Sequence, residues 1–420
     1  MIPAGGIAVA FLVCDFSHFH KQQDQEIFQM NLKACFFAAT IGLTVFAGSE
    51  AFAVSVADAV ASATHTGPGA DRPGFGRAVF VMTNDADSNE VIAFDRTPQG
   101  TLENPHKYDT GGRGSGGTVD PLASQGSLRL SEDGSALFAV NAGSGTLSVF
   151  RVIGSRLVLS DRIATGGSEP NAVAQVGSLV YVLNTAGSSS VIGFRYHDGR
   201  LTRIPDSLRY LSGNGVGSGS VAFSADGRYL AVTERTTNNV DLFRVQTDGK
   251  LSAITITPSI GPGAFAVSFA PKGVAIVSET GGAGPNGPAI SSYSIASDNT
   301  LVPISASVPT LGRANCWNVV TPDGRFVYAS NAGSSSISGF SIRGNGALVP
   351  LQSTVVGVNP AGATNIDITV SADGHYLYSL NGGDGSIGVF RIDPSDGSLT
   401  NLGTRRGLPA GAGLNGIAAN

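Results

Sequence analysis

Short apolar runs, each closed by Gly, Asn, Asp or Ser, recur along most of the chain; "RYLAVT", "RFVYAS", "TLSVF" and "SVIGF" are typical. Runs of this length, rich in Val, Phe and Tyr and bounded by turn residues, predict strands rather than helices. The runs are also periodic. A tight turn ends at Gly134, Gly177, Gly227, Gly273, Gly324 and Gly374, at spacings of 43, 50, 46, 51 and 50 residues. A short strand precedes each turn, as in "GSVAFSADG". A second apolar strand follows it, then an Asn/Gly/Ser turn, then a third strand ending in an aromatic, then a fourth such as "LVLSDRIA". The Asp-Gly pairs supply the positive φ that tight hairpins need.

Four antiparallel strands every 40 to 50 residues make one blade of a β-propeller. Six full units are visible, and a seventh is split between the ends of the repeat region. "AVFVMTN", "EVIAFDR" and "LENPHKYDT" supply its outer strands, and "GLNGIAAN" at the C-terminal end supplies its inner strand. The expected fold is therefore all-β: a seven-bladed propeller over residues 76–420, its ring closed by pairing the two ends and so left without free edges.

The N-terminal segment does not fit this pattern. "MNLKACFFAATIGLTVFAGSEAFA" starts at Met30, carries Lys33 before an apolar core too short to span a membrane comfortably, and ends in Ala51-Phe52-Ala53. This is the layout of a secretory signal peptide over residues 30–53. Residues 1–29 read as an upstream extension foreign to the mature protein, and residues 54–75 as a flexible lead-in. The expected location is periplasmic or secreted, with no membrane association after cleavage.

Composition narrows the function. Glycine contributes 57 of 420 residues, charged residues only 14%, and the formal net charge is −5. Removing residues 1–53 leaves 24 basic and 27 acidic side chains and no basic run, which argues against nucleic-acid binding through phosphate neutralisation. Cys316 is the one cysteine beyond the leader, so no internal disulfide is expected there. Asp85, Asp87 and Asn89 in "NDADSNE" have a faint calcium-loop look but lack the glycine and distal glutamate. No metal, no cofactor and a monomer are expected.

The turn between second and third strands shares a face with the links between blades. Four units place Asn at this turn (Asn141, Asn184, Asn331, Asn381), whereas "AVTERTTNNVDLF" places Glu234 there, and Glu279 stands one place before the slot in its unit. The glycine-rich links add Arg113, Glu169, Asn171, Arg313, Asn315, Arg405 and Arg406 to the same face, beside Arg235. Charge gathered around a propeller mouth is a candidate ligand site. Each piece also has a plainer reading: the Asn residues as Asx turns, Glu234 as a solvated turn residue, the arginines as surface charge. Trp317 and Cys316 are expected to pack between blades.

Units of the form "SADGRYLAVTERTTNNVDLF" resemble the seven-bladed β-propeller lactonase family, which includes 6-phosphogluconolactonases and 3-carboxymuconate cyclase-like proteins. The resemblance covers residues 76–420. It implies lactone hydrolysis or cycloisomerisation of a carboxylated or sugar-derived lactone. Members carry a V-x-E-x-x-x-N-x-V unit in a middle blade, matched here by "VTERTTNNV". Where members present His and Arg at neighbouring inner ends, "GGSEPNAVAQ" presents Glu169 and Asn171. The resemblance implies that Glu234 positions water or moves a proton, and that Arg235 and Arg313 hold the anionic group or the oxyanion. The alternative is a non-catalytic exported propeller that binds a ligand or partner protein on the same face.

Overall fold

The computed structural model of the protein describes residues 77–281 and 287–420. The expected upstream extension, signal peptide and lead-in lie outside the described residues. The described residues form seven small antiparallel sheets arranged as a seven-bladed β-propeller. Helical structure among them is limited to three short 3-10 turns.

Six blades run in chain order from the axis outward. Their second strands are buried on both faces, because each blade packs against a neighbour on either side: every residue of Ala136–Asn141, Phe326–Asn331 and Tyr376–Asn381 is buried. Fourth strands such as Leu102–Asp109 keep most side chains in solvent. The turn after the inner strand repeats one device in four blades. In "SADG", Ser224 Oγ donates to Asp226 Oδ1 at 2.7 Å and accepts from Tyr229 N at 3.0 Å, Asp226 Oδ1 accepts from Arg228 N at 3.1 Å, and Gly227 takes the positive φ. The same Ser/Thr–Asp pairing recurs at Ser131–Asp133, Thr321–Asp323 and Ser371–Asp373.

Blade 3 departs from the four-strand plan. Its third strand, Ser188–His197, pairs both with Arg200–Arg203 and with Arg209–Asn214. The break between these two segments contains Pro205, which has no N–H to give a ladder, and Asp206 at φ 57°. Ser207 Oγ fills the gap by bonding Gly193 N at 3.1 Å.

The remaining sheet is the predicted composite and is blade 1, the other six following in chain order as blades 2 to 7. Asn415–Ala419 is its inner strand, followed outward by Ala78–Met82, Glu90–Arg96 and Leu102–Asp109. Phe80 pairs with Ala418 and Val81 with Ile417. Beyond the ladder, Asn420 Oδ1 accepts from Ala78 N at 2.7 Å. The buried Arg96 guanidinium donates to Asp373 of the neighbouring blade at 2.9 Å and to the main-chain oxygen of Asn420 at 3.0 Å, and it lies over the Tyr376 ring. Tyrosine hydroxyls staple adjacent blades elsewhere: Tyr181 to Gly249 O and Tyr328 to Gly397 O, both at 2.8 Å, and Tyr378 to Gly100 O at 2.9 Å across the closure.

Removing residues 414–420 should abolish the single cooperative thermal transition, because it empties an inner strand position and exposes the ladder edge of Ala78–Met82. Arg96→Met should keep the fold but cost about 3 kcal/mol, since it strips a largely buried partner from Asp373. Denaturant unfolding checks both; an unchanged midpoint in the truncated chain would refute closure through this strand.

Candidate functional site

Six of the seven second strands carry a fully buried polar residue at or near their end: Asn141, Asn184, Glu234, Glu279, Asn331 or Asn381. In blade 2, Asn141 Oδ1 accepts from Thr110 Oγ1 of the link at 2.7 Å, while Nδ2 donates to Ser148 Oγ of the third strand at 2.8 Å. In this blade the slot thus ties link, second strand and third strand together.

Glu234 performs the same task with a carboxylate. It accepts from Ser212 N at 2.9 Å and Ser212 Oγ at 2.5 Å in the last strand segment of blade 3, from Thr237 Oγ1 at 2.5 Å in the turn, and from Asn239 Nδ2 at 3.2 Å at the start of the third strand. Asp241 stands where blade 2 has Ser148. Burial, and then the adjacent Glu234, push its carboxyl up to about 9, so it keeps its proton beside the Glu234 carboxylate. Burial alone would raise Glu234 too, but the donors from Asp241, Ser212 and Thr237 outweigh it and hold that carboxyl below its ordinary value. The expected proton-moving role at Glu234 finds no opening to solvent; the side chain is closed in and its oxygens are taken.

Glu279 occupies the same slot, not the place before it: it pairs with Ala264 as Glu234 pairs with Ser218. Its carboxylate takes Gly261 N at 2.9 Å, Ser291 Oγ at 2.6 Å and Ser307 Oγ at 2.8 Å. Asn171 and Asn315 are buried bridges to neighbouring main chain, donating to Ser218 O at 2.9 Å and Ala289 O at 2.6 Å. Arg113, Glu169 and Arg313 are exposed. Arg113 and Arg313 hold equivalent link positions in blades 2 and 6, each with its main-chain N–H on a serine hydroxyl. Arg405 is half-buried over Phe94, and Arg406 reaches Asp384 at 3.7 Å. Arg235 is exposed over the Phe265 ring. These residues do not converge on one cavity.

They do not converge because the chain covers that mouth itself. The link between blades 1 and 2, much longer than the others, lays residues 118–126 across the axis. Gly413 N donates to Thr118 O at 2.6 Å and Asn415 Nδ2 to Asp120 Oδ1 at 3.0 Å. Trp317 Nε1 donates to Ser124 O at 2.8 Å, Ser124 Oγ to Asn171 O at 2.8 Å, and Gln125 N to Gly219 O at 2.8 Å. Trp317 therefore anchors this plug as well as packing edge-on against Phe265 of the next blade.

Behind the plug lies an axial cavity of about 360 Å³, lined by all seven inner strands and bounded toward the Asp-Gly-turn face by Glu132, Ser224 and Ala225. Its size is at the lower end of the range for small-ligand pockets. Two charged inner-strand side chains dominate it. Arg129 projects into the channel between Leu128 and Leu130 and makes no direct hydrogen bond or ion pair among the described residues. Asp367 accepts from Ile368 N at 2.9 Å and Ile417 N at 3.2 Å.

The chain matches the family model described as "Lactonase, 7-bladed beta-propeller" over residues 76–210 and 172–283. The chain belongs to the seven-bladed β-propeller lactonase family. Solved structures share its fold at low identity. A putative 6-phosphogluconolactonase from Bacteroides uniformis is 20% identical with a TM-score of 0.62, covering 82% of this chain and 99% of that one. A periplasmic gluconolactonase from Pseudomonas aeruginosa is 19% identical with a TM-score of 0.62, covering 82% and 98%. Among curated proteins nothing matches.

Within this family propeller, the electrostatics along the axis are uneven. Burial pushes Asp367 up to about 7, against the pull of its two N–H donors and of Arg129. Asp120, in the plug, is likewise raised to about 7, chiefly by burial, with Asp367 adding to the rise and Arg235 opposing it. A carboxyl half-ionised near neutrality is suited to accept a proton and return it, and a free guanidinium beside it is suited to an anion. Arg129 and Asp367 were not among the residues singled out from the sequence. Their signal was available: "LRL" and "NIDITV" place charges in strands whose counterparts, such as "VAF" and "NVV", have none.

Asp241→Asn should stabilise the protein. Between the ordinary carboxyl value of 3.8 and about 9 the unfolded chain has released the Asp241 proton while the folded chain retains it, so this residue's contribution falls as pH rises. An amide has the same shape and stays neutral beside Glu234 in both states, without that penalty. The expected gain is about 1–3 kcal/mol at pH 8, shrinking toward pH 4, read from thermal melts across pH. A gain independent of pH would contradict the proton assigned to Asp241.

Proposed function

We propose that this propeller hydrolyses a small anionic lactone, carboxylated or sugar-derived, inside the axial channel, entered from the face of the Asp-Gly turns. One observation carries the reading: a carboxyl poised near neutrality and an unpaired guanidinium share a cavity of ligand size that the plug closes at its far end. Family membership supports lactone chemistry, and two structural neighbours are described as a "putative 6-phosphogluconolactonase" and a "periplasmic gluconolactonase".

In this mechanism Arg129 holds the substrate's carboxylate or phosphate and orients the ring. Ionised Asp367 takes a proton from water as the water oxygen adds to the lactone carbonyl carbon. The tetrahedral intermediate collapses, the ring carbon–oxygen bond breaks, and Asp367 returns the proton to the departing ring oxygen. The product is the open hydroxy acid. Substrate charge and catalytic charge are thereby separated between two residues, which gives each a distinct kinetic signature. Export to the periplasm or beyond is part of the same reading; it rests on the leader read over residues 30–53 and on the neighbour described as periplasmic.

The test is a hydrolysis screen with a neutral sugar δ-lactone, its phosphorylated counterpart and a carboxylated γ-lactone. Arg129→Met should raise KM about tenfold or more for the anionic substrates and leave the neutral one unchanged, the loss of one charge-assisted contact. Asp367→Asn should lower kcat by about 10²–10⁴. For the native protein kcat/KM should climb as pH rises through about 7, as Asp367 loses its proton. A native chain that opens none of these lactones, or a flat pH profile from 5 to 9, would sink the reading.

A further inference from the structure

The plug does more than cover the axis, because it places a side-chain amide on the cavity's floor. Gln125 is nine-tenths buried and lines the channel with Arg129, Asn318 and Asp367. Its Oε1 accepts the main-chain N–H of Asn318 at 2.9 Å. A main-chain N–H can be met only by the oxygen end of the amide, which fixes the orientation of the group and leaves Nε2 as its free end. That Nε2 has no partner among the described residues. With Gln125 on the cavity wall, this end of the amide is not sealed in protein and is available to donate to a molecule bound in the cavity.

The position is rigid. Gln125 pairs with Ser220 in a parallel bridge, and its neighbour Ser124 is held by Trp317 and Asn171. Asn318 is itself fixed: its Nδ2 donates to Ser278 Oγ at 3.0 Å, and its Oδ1 accepts from Ser268 Oγ. A donor held in advance of the reaction stabilises developing negative charge without reorganising. Arg129 and Asp367 line the same cavity, already engaged with the anionic group and with water in the mechanism above.

We propose that Gln125, delivered by the link between blades 1 and 2, binds the lactone carbonyl oxygen and stabilises the oxyanion formed when water adds to the carbonyl carbon. This assignment rests on the channel as the site of hydrolysis. No proton leaves Gln125: its N–H donates to the oxyanion, the carbonyl reforms as the ring bond breaks, and the proton traffic stays between water, Asp367 and the ring oxygen. The link then decides which lactones react, since its amide sets the depth at which a carbonyl can sit.

Gln125→Glu separates this role from a structural one. The carboxylate still accepts the Asn318 N–H, but the donor is gone. On whichever of the three lactones the native protein opens, kcat measured on the high-pH plateau should fall about 100-fold or more, with KM within about threefold and the melting temperature little changed. Gln125→Met, neutral and of similar length, should show the same kcat loss and serves if the acidic variant folds poorly. Asp367→Asn is assayed beside them. Folded Gln125 variants with kcat within about threefold of native, next to an inactive Asp367→Asn, would overturn the Gln125 assignment while leaving the channel reading intact. Full activity in all three would overturn both.

Discussion

The constraint on which the rest depends is closure of the ring. Seven sheets can bury both faces only by packing on one another, and the last can do so only if Asn415–Ala419 pairs with Ala78–Met82. The largely buried Arg96–Asp373 pair and the Tyr378 staple hold that seam from the side. Once the ring is closed, all seven inner strands face a common axis, and whatever polar side chains they carry share one space. The cavity, the Arg129–Asp367 neighbourhood and the need for something to fill the axis all follow.

How the axis is filled gives the two faces different characters. The long link between blades 1 and 2 lays its main chain over one mouth, bonded to blades 1, 3, 4 and 6. Main-chain polar groups drawn into the centre of a fold must find partners there, and these do. The opposite end keeps a short polar boundary, Glu132 to Ser224, and a path to solvent. The arginines that gather on the plugged face are left as surface charge, stacked on Phe94 and Phe265 or reaching single acids. On the open side a single unpaired arginine faces a carboxyl of raised affinity for protons, a smaller and more consequential concentration of charge.

Glu234 shows how a correct observation in the sequence can acquire a different meaning in the fold. Its departure from the repeated Asn is real. The compensating changes lie elsewhere: Ser212 in the last strand segment of the preceding blade and Asp241 in the third strand, where other blades have Ser148, Ser291 or Ser338. Read singly, Glu234 is a carboxylate without a reason. Read with Asp241 it is half of a buried acid pair in which Asp241 keeps its proton, and the pair fills the slot that Asn141 fills with a serine in its own blade. Glu279 makes the point again with three serine hydroxyls and no second acid.

By itself the sequence determined the strand pattern, the period, the number of blades and the closing strand, because each is written in local alternation and in turn residues that need no distant partner. It determined the family for the same reason, since the repeated motif is made of those turns. Only the tertiary structure decided which charged residues meet. Arg129 and Asp367 are 238 positions apart and in different blades, and nothing in either strand says that both side chains turn to the axis. The plug was decided there too: seventeen residues of glycine-rich link carry no periodicity, so their path follows from the partners that the closed ring offers them and not from any preference of their own.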